Sequence, residues 1–432
     1  MTQLPAGSPR SSYLPSVDGI RALAVSNAVL FHFGFLAALP TAPHFLRHLG
    51  PSAMGLEVFF VLSGTLITGM LVREFGRSNT ISVSMFYVRR SRRLAPGLLL
   101  VLPGLVVAQL VLGSGPTAPL GPSAWLAVGA ILASVGNWRL VASPYGLGWL
   151  GPLWTLGIEE QFYVTWPLAL RAAMRRNLGR GVILSALGVL LAVCIVVTAF
   201  AQAAVQWKYT YYLTTTQLTG LLMGCALGYE LATNPTGRLG RALSKQRVAL
   251  AGVAGMVAVA LLTGSDPALL ARYGYLTFGI SASAVVGHCF VMGHERSVVT
   301  AVLGSRPLTS LGKLSYEIYL IHMCVILAVL RAAPTMPVPA MLALDVAIII
   351  GLASPLYHFA ERPVRELGWR RALARLRALA RLRWNRLVSH RDVDGEVVAL
   401  GGLELQDRDP AGAAQVLLGG PDLIEVSTGS TQ

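Results

Sequence analysis

The sequence contains few charged residues for its length. Only 13% of its 432 residues are charged and 54% are apolar, whereas an average soluble protein has about 25% charged residues. This composition excludes an ordinary soluble enzyme and a disordered chain. Lysine supplies only three of the 35 basic residues, and arginine the rest, for a net charge of +15. A nucleic-acid-binding protein can be as basic but is not this apolar, so we expect membrane lipid, and not nucleic acid, as a partner.

Patterns for disulfides, metals and phosphate loops are also lacking. The four cysteines lie in apolar stretches without a CxxC spacing, so we expect no disulfide, no metal site and no tightly bound cofactor. There is no Gly-rich phosphate loop and no GxSxG motif. The first residues are polar and rich in proline, so we expect no cleaved signal peptide.

What the sequence does have is long apolar runs. A helix needs about 20 apolar residues to cross a bilayer. Ten segments qualify: 17–39, 54–72, 94–113, 151–171, 181–203, 213–230, 248–265, 272–293, 308–331 and 338–358. We therefore predict an all-α, polytopic membrane protein with about ten transmembrane helices. An eleventh apolar segment, 123–136, is only 14 residues long, and we expect it to be re-entrant or to lie along the outer surface.

The positions of the arginines predict the orientation in the membrane. Five regions between or after the spans are rich in arginine: 73–93, 171–180, 231–247, 294–307 and the tail after 358. The positive-inside rule assigns all five to the cytoplasm. Both termini are then cytoplasmic, as expected for a multi-pass protein of the cell's inner membrane.

Composition divides the chain into four parts. Residues 1–16 form a cytoplasmic N-terminal segment, and residues 17–365 form the transmembrane domain. Leucine and alanine at helical spacing among arginines predict a basic amphipathic helix at 366–391, which binds either anionic lipid or a partner. Residues 392–432 hold eight acidic residues and one arginine, and we predict that this tail is disordered.

The first span contains three ionisable residues, Asp18, Arg21 and His32, and such residues are costly inside a bilayer. Asp18 and Arg21 can pair on one helix face. Arg21 and His32 are eleven residues apart, which is about 20° beyond three full turns, so they share a face about 16 Å apart. Anchoring at the membrane interface would also explain Arg21, and an interhelical hydrogen bond would also explain His32.

Two carboxylates are predicted at the depth of His32, in the outer half of the membrane. Glu57 lies in GLEVFFVLSG of the second span, and Glu159 in WTLGIEEQFY of the fourth. An imidazole with a carboxylate partner is the arrangement that general base catalysis needs, so we expect Glu159 or Glu57 to orient His32. A proton-coupled carrier could hold the same groups.

Four arginines are concentrated in the stretch FYVRRSRRLAP: Arg89, Arg90, Arg92 and Arg93. They could serve only as orientation charges. Their density at the start of a span also suits a phosphate clamp. An extended acyl-CoA, with its phosphates at this loop and its reacting end deeper in the membrane, would connect the arginines to His32.

A later stretch, LGKLSYEIYLIHM, carries three polar residues at helical spacing. Ser315, Tyr319 and His322 follow one another at intervals of four and three, so they lie on one helix face. Helix packing alone would explain this face.

These motifs, in this order, resemble the acyltransferase 3 family of integral-membrane O-acyltransferases over roughly residues 13–365. SVDGIRALAVSNAVLFHF is similar to the family's DGLRAxAxxxVxxFH opening, and MGLEVFFVLSGTLIT to its GVDxFFxLSGFLIT. FYVRRSRRLAP is similar to an arginine-x-x-arginine loop, LWTLGIEEQFY to WSLSVExQFY, and LGKLSYEIYLIH to GxxSYxxYLxH. The chain departs from the family pattern at Thr155 and Gly157, where serine is usual, and at Gln217, where arginine is common. The resemblance does not include the esterase-like domain that some members carry.

The resemblance implies a catalytic role for His32 and an acyl-CoA site at Arg90 and Arg93, to which Arg89 and Arg92 could add. Positioning roles are expected for Asp18, Arg21, Gln161, Tyr163, Ser315, Tyr319 and His322. We expect an acyl-CoA-dependent O-acyltransferase with a hydroxyl-bearing, sugar-containing acceptor: a macrolide or glycolipid first, a cell-envelope polysaccharide second. Direct transfer and a covalent acyl-histidine both stay open. The alternative is a proton-coupled carrier of a lipid-linked or sugar substrate, which would have no use for the arginine clamp.

Overall fold

A computed structural model describes residues 13–36, 54–111, 122–143, 146–204, 210–263 and 274–372, together with residues 374 and 378. Every regular element in these ranges is helical, as predicted. The helices are α1 (Pro15–Leu36), α2 (Met54–Ser78), α3 (Val83–Val111), α4 (Pro122–Leu132), α5 (Gly136–Ala142), α6 (Trp154–Arg175), α7 (Arg180–Ala204), α8 (Thr214–Thr233), α9 (Arg238–Leu243), α10 (Gln246–Thr263), α11 (Tyr275–Met292), α12 (Val298–Leu303), α13 (Arg306–Lys313), α14 (Ser315–Ala332), α15 (Val338–Pro355) and α16 (Arg362–Leu367). A 3-10 turn, Gly148–Leu153, precedes α6, and a π-helical turn, Leu356–Glu361, joins α15 to α16.

Six helical segments are long and apolar enough to cross a membrane. They are Met54–Ser78, Val83–Ala108, Arg180–Ala204, Tyr275–Met292, Ser315–Ala332 and Val338–Leu367. Only 22% of the apolar window of Arg180–Ala204 is buried inside the protein, which leaves a large apolar surface that suits lipid. The chain is a membrane protein, while the count of ten spans and the orientation of the termini stay predictions.

The short apolar segment at 123–136 forms parts of two helices. α4 has 11 residues, and a helix of that length is about 16 Å long, about half of the hydrocarbon thickness. A left-handed residue, Ser134 with φ 59°, follows α4, and α5 begins two residues later. α4 alone cannot cross the bilayer. The re-entrant path stays a prediction.

The described residues up to Ala372 form one compact unit. Most of the predicted amphipathic helix at 366–391 and all of the predicted disordered tail at 392–432 lie outside the described residues. The same holds for residues 1–12 of the predicted N-terminal segment.

Three glycines of α8, at a spacing of four residues, let this helix lie directly against α2. A Cβ added at Gly224 would lie 2.2 Å from the carbonyl oxygen of Val61, and one at Gly228 would lie 2.4 Å from that of Thr65. Gly220 faces the carboxylate of Glu57 in the same way. Small residues at this spacing are what close helix packing in a membrane requires. This contact fixes the position of α2, the helix that carries Glu57.

Replacing Gly224 by alanine should destabilise the protein. The new methyl group would meet a backbone oxygen, which cannot rotate away, and overpacking of this kind costs about 1–3 kcal/mol. We expect a lower thermal unfolding midpoint for the purified protein in detergent. Gly351→Ala in α15 is the matched control, because a Cβ there meets no described atom within 4 Å. A midpoint for Gly224→Ala at or above that of Gly351→Ala would contradict this account of the packing.

α1 lies inside the bundle, in contact with α2, α13 and α14. Its close approach to α13 is visible at Gly312, where a Cβ would overlap the carbonyl oxygen of Asp18. The ionisable residues of α1 are accordingly buried or half-buried inside the bundle. This arrangement brings Arg21 and His32 toward the polar residues of α14.

Candidate active site

A cavity of about 410 Å³ lies among α1, α2, α3, α6 and α14. This volume falls within the range of small-molecule sites. Five arginines line it: Arg21, Arg73, Arg89, Arg90 and Arg93. Another part of the lining is apolar and comes from α2: Leu56, Phe59, Leu62, Leu66, Ile67 and Met70. The cavity therefore suits an elongated ligand with an anionic part and an apolar part.

Two of the five arginines are neutralised by an acid. Arg89 pairs with Glu74 at 2.9 Å. Arg21 pairs with Asp18 at 3.0 Å, as the sequence predicted. The same carboxylate acts on Tyr13, ahead of α1, where burial and a hydrogen bond with Asp18 raise the pKa of the phenol to about 12.

The other three arginines of the cavity have no acid within ion-pair distance in the part of the chain that the structure describes. Arg90 packs on an aromatic ring instead, with its guanidinium carbon 4.2 Å from the centroid of Tyr163. Arg73 and Arg93 complete the set. Excess positive charge in a partly enclosed site favours a phosphorylated ligand.

Arg92 differs from the other three arginines of its loop. It is not among the cavity-lining residues that the structure describes. Its guanidinium lies beside Gly368, about 3.3 Å from where a Cβ would stand. Arg92 therefore has a different environment from Arg89, Arg90 and Arg93.

Glu159 lines the cavity and accepts two hydrogen bonds. Ser63 donates at 3.3 Å and Tyr163 at 2.9 Å. Tyr163 thereby links Glu159 to Arg90, which packs on the same ring. Glu159 is thus held on the arginine side of the site, and His32 is not among its hydrogen-bond partners in the described residues.

His32 lies next to a second histidine, His322 of α14. Nδ1 of His32 is 3.1 Å from Nε2 of His322 and 2.9 Å from the carbonyl oxygen of Ala28. Nδ1 of His322 is 2.8 Å from the carbonyl oxygen of Tyr319. His322 is fully buried. Two of the predicted site residues, distant in sequence, are therefore brought into direct contact.

Tyr319 connects this histidine pair to the cavity. Its ring lies 5.6 Å from that of His322, centroid to centroid, and its side chain lines the cavity. The hydroxyl oxygens of Tyr319 and Thr155 are 2.6 Å apart, and Tyr319 donates to the carbonyl of Pro152. Ser315, on the same face of α14, also lines the cavity. The predicted face of α14 thus runs from the cavity to the histidine pair.

Glu57 points in another direction. Its carboxylate is buried and has no hydrogen-bond partner among the described residues. It packs against Gly220 of α8 and Gly279 of α11, where an added Cβ would come within 3.0 Å of it. The structure therefore places Glu57 against α8 and α11. The sequence analysis expected Glu159 or Glu57 to orient His32, but neither carboxylate forms a hydrogen bond with His32 in the described residues.

Gln161 holds the short helices at 122–142 against the bundle. Its amide nitrogen donates to the carbonyl of Ser134 at 2.8 Å and to Asn137 at 3.1 Å, and its amide oxygen accepts from Thr214 at 3.0 Å. Gly157 lies in the same place, because a Cβ there would be 2.9 Å from the Ser134 carbonyl oxygen. The glycine at this departure from the family pattern thus allows a close backbone contact.

The other notable departure, Gln217, is also engaged. It is buried, and its amide nitrogen donates to the carbonyl of Tyr211 at 2.7 Å.

The cavity is also lined by three residues to which the sequence analysis gave no site role: Arg73, Ser63 and Thr155. The sequence analysis counted Arg73 only as one of the charges that predict orientation. Ser63 and Thr155 carry neutral hydroxyls within apolar helices, and such residues give no sequence signal of a binding site.

Comparison with known proteins gives consistent matches. A family model described as "Acyltransferase domain" matches residues 14–355. The chain is 26% identical over 383 residues to the O-acetyltransferase OatA of Staphylococcus aureus, covering 84% of this chain and 58% of that protein. It is 28% identical over 372 residues to the peptidoglycan O-acetyltransferase OatA of Listeria monocytogenes, covering 83% of this chain and 56% of that protein. The chain thus spans less than two thirds of these relatives. No solved structure matches.

Proposed function

The chain belongs to the acyltransferase 3 family, and on this basis we propose that it is a membrane O-acetyltransferase. It transfers an acetyl group from acetyl-CoA to a sugar hydroxyl of a cell-envelope polysaccharide. The curated relatives act, by name, as O-acetyltransferases, one of them on peptidoglycan. They favour the envelope polysaccharide over the macrolide or glycolipid that the sequence put first.

One observation carries the donor assignment: the cavity combines unneutralised arginines with an apolar wall. Arg73, Arg90 and Arg93 offer guanidinium groups to phosphates, and arginine binds phosphate oxygens through two parallel hydrogen bonds. The face of α2 offers an apolar wall to the pantetheine arm. Tyr319 marks the end of the cavity nearest to the histidine pair, which is where the thioester should lie.

In the proposed reaction His32 acts as general base. The acceptor hydroxyl gives its proton to His32 while its oxygen attacks the thioester carbonyl carbon. The carbon–sulfur bond then breaks, the ester forms, and the CoA thiolate takes the proton from His32. Charge and atoms balance without a metal or a redox partner. Direct transfer of the acetyl group, without an acyl-enzyme intermediate, needs one general base, and His32 is the base proposed here.

The proposal is tested with membrane vesicles that contain the full chain. Radiolabelled acetyl-CoA and longer acyl-CoAs are supplied with lipid-linked envelope glycans, and base-labile label in the glycan is measured. We expect label from acetyl-CoA in the glycan, and none with vesicles that lack the protein. If the vesicles show no transfer and CoA does not protect the protein, the proposal is overturned and the proton-coupled carrier is favoured. Transfer of the label to a small glycosylated metabolite would keep the transferase and replace the acceptor.

A further inference from the structure

The hydrogen bonds around His32 and His322 determine which ring nitrogens carry protons. In each ring, Nδ1 faces a backbone carbonyl: Ala28 at 2.9 Å from His32, and Tyr319 at 2.8 Å from His322. A carbonyl oxygen can only accept, so each Nδ1 must carry its hydrogen. A neutral imidazole has one N–H and one lone pair, so each Nε2 carries the lone pair when the ring is neutral.

The two rings then form a directed chain. The single N–H at Nδ1 of His32 is shared between two acceptors, the carbonyl oxygen of Ala28 and the lone pair at Nε2 of His322, 3.1 Å away. The N–H at Nδ1 of His322 points in turn to the carbonyl of Tyr319, with that of Ile318 3.2 Å away. The opposite tautomer of His32 would place two lone pairs against each other between the rings. The opposite tautomer of His322 would place two N–H groups there and a lone pair against the carbonyl of Tyr319. Only this arrangement satisfies both rings, and it leaves Nε2 of His32 unprotonated.

We propose that His322 is the positioning residue that holds His32 in the tautomer with an unprotonated Nε2 and stabilises the imidazolium formed when Nε2 takes a proton. This inference rests on the proposed function. When Nε2 of His32 is protonated, its N–H at Nδ1 becomes a charged donor, and a hydrogen bond from a charged donor is roughly twice as strong as a neutral one. His322 receives that bond without changing its own protonation.

A neutral partner fits the surroundings better than the carboxylate that the sequence suggested. His322 is fully buried, and a carboxylate at its position would carry a net charge within the bilayer between catalytic cycles, which is costly. The imidazole of His322 provides the same acceptor without that charge. Glu57 and Glu159, the two candidate carboxylates, are packed or hydrogen-bonded elsewhere.

Two variants of His322 separate positioning from packing. His322→Leu removes the acceptor, and we expect it to lower kcat by about 100-fold while the KM for acetyl-CoA changes by less than about threefold. His322→Gln keeps an oxygen acceptor at a similar reach, and we expect it to recover at least tenfold of that loss. A purely structural role predicts no such rescue, since glutamine is a poorer fit for an apolar site than leucine.

His288→Gln is the matched control, because His288 is also fully buried and bonded to a backbone carbonyl, that of Leu243 at 2.6 Å. Its partner is Ser297 and not His32. We expect it to leave kcat per folded molecule within about threefold. Unchanged kcat in His322→Leu, with wild-type transfer and an inactive His32→Ala, would overturn this inference alone. Absent transfer by the wild type would overturn the proposed function instead.

A measurement on the unaltered protein decides the matter if either variant fails to fold. The nitrogen NMR signals of the histidines, with those of His32 identified by their loss in His32→Ala, report which ring nitrogen carries the proton. We expect a protonated Nδ1 and a bare Nε2. The reverse tautomer in the folded wild type would overturn the assignment.

Discussion

His32→Ala should lower acetyl transfer by about 100- to 10,000-fold, the contribution of a positioned general base, while the protein stays folded in the membrane. The residue lies at a helix–helix contact and is only partly buried, so its truncation removes the contacts of Nδ1 with His322 and the Ala28 carbonyl, and little packing. Transfer of label from acetyl-CoA to the glycan is measured at equal amounts of folded protein. The unfolding midpoint should change far less than the rate.

His358→Ala is the matched control for removing a histidine. His358 is exposed, and its Nδ1 lies 2.8 Å from the carbonyl of Ser354, one turn earlier. We expect this variant to transfer at a rate within about twofold of the wild type. Turnover by His32→Ala at the wild-type rate would remove His32 from the mechanism, whatever the state of the arginine cavity.

Features carried by a single helix could be predicted from the sequence. The pairing of Asp18 with Arg21 depends only on helical spacing, and it is present. Ser315, Tyr319 and His322 share a face of α14 as their intervals require, and this face runs from the cavity to His32. Helix geometry fixes such relations before any tertiary contact forms.

Relations between helices could not be predicted in this way. His32 and His322 are 290 positions apart, and their contact depends on how α1 and α14 are rotated against each other. Glu57 was expected near His32 from its depth alone, but the packing of α2 on the glycines of α8 turns it toward α8 and α11. Depth in the membrane follows from the sequence, whereas rotation about a helix axis follows from packing.

Arg73 illustrates the same limit for the donor site. Its position near the C-terminal end of α2, which the sequence predicts to be cytoplasmic, is that of an ordinary orientation charge. It joins Arg90 and Arg93 in the wall of the cavity because the end of α2 and the start of α3, separated by four residues, both border it. The sequence contains the arginine loop, but only the packing shows which arginines of different helices line one cavity.

Replacing Arg93 by glutamine should raise the KM for acetyl-CoA by about 10- to 100-fold, with little change in kcat. Arg93 lines the cavity and has no acid partner in the described ranges, so its charge is available to a phosphate. A hydrogen bond to a charged group contributes about 1.5–3 kcal/mol, and each 1.4 kcal/mol is tenfold in affinity. Because the phosphates do not change during the reaction, their binding should act on KM and not on kcat.

The double variant Arg73→Gln/Arg93→Gln extends this test. If both guanidinium groups bind the same phosphates, the loss should exceed that of either single variant, and added salt should weaken donor binding less than in the wild type. Arg175→Gln is the control, because Arg175 is exposed at the last turn of α6 and is not among the residues that line the cavity. It removes the same charge from the chain and should leave the KM unchanged.

The arginine variants also separate the transferase from the proton-coupled carrier. A carrier of a neutral sugar substrate makes no use of arginines that bind phosphate, so its transport should survive Arg93→Gln. A transferase should lose donor affinity while its base, His32 in contact with His322, stays intact. A KM for acetyl-CoA that is the same in the wild type, Arg93→Gln and the double variant would show that the cavity does not hold the donor, and the His32 chemistry would then need another source of acyl groups.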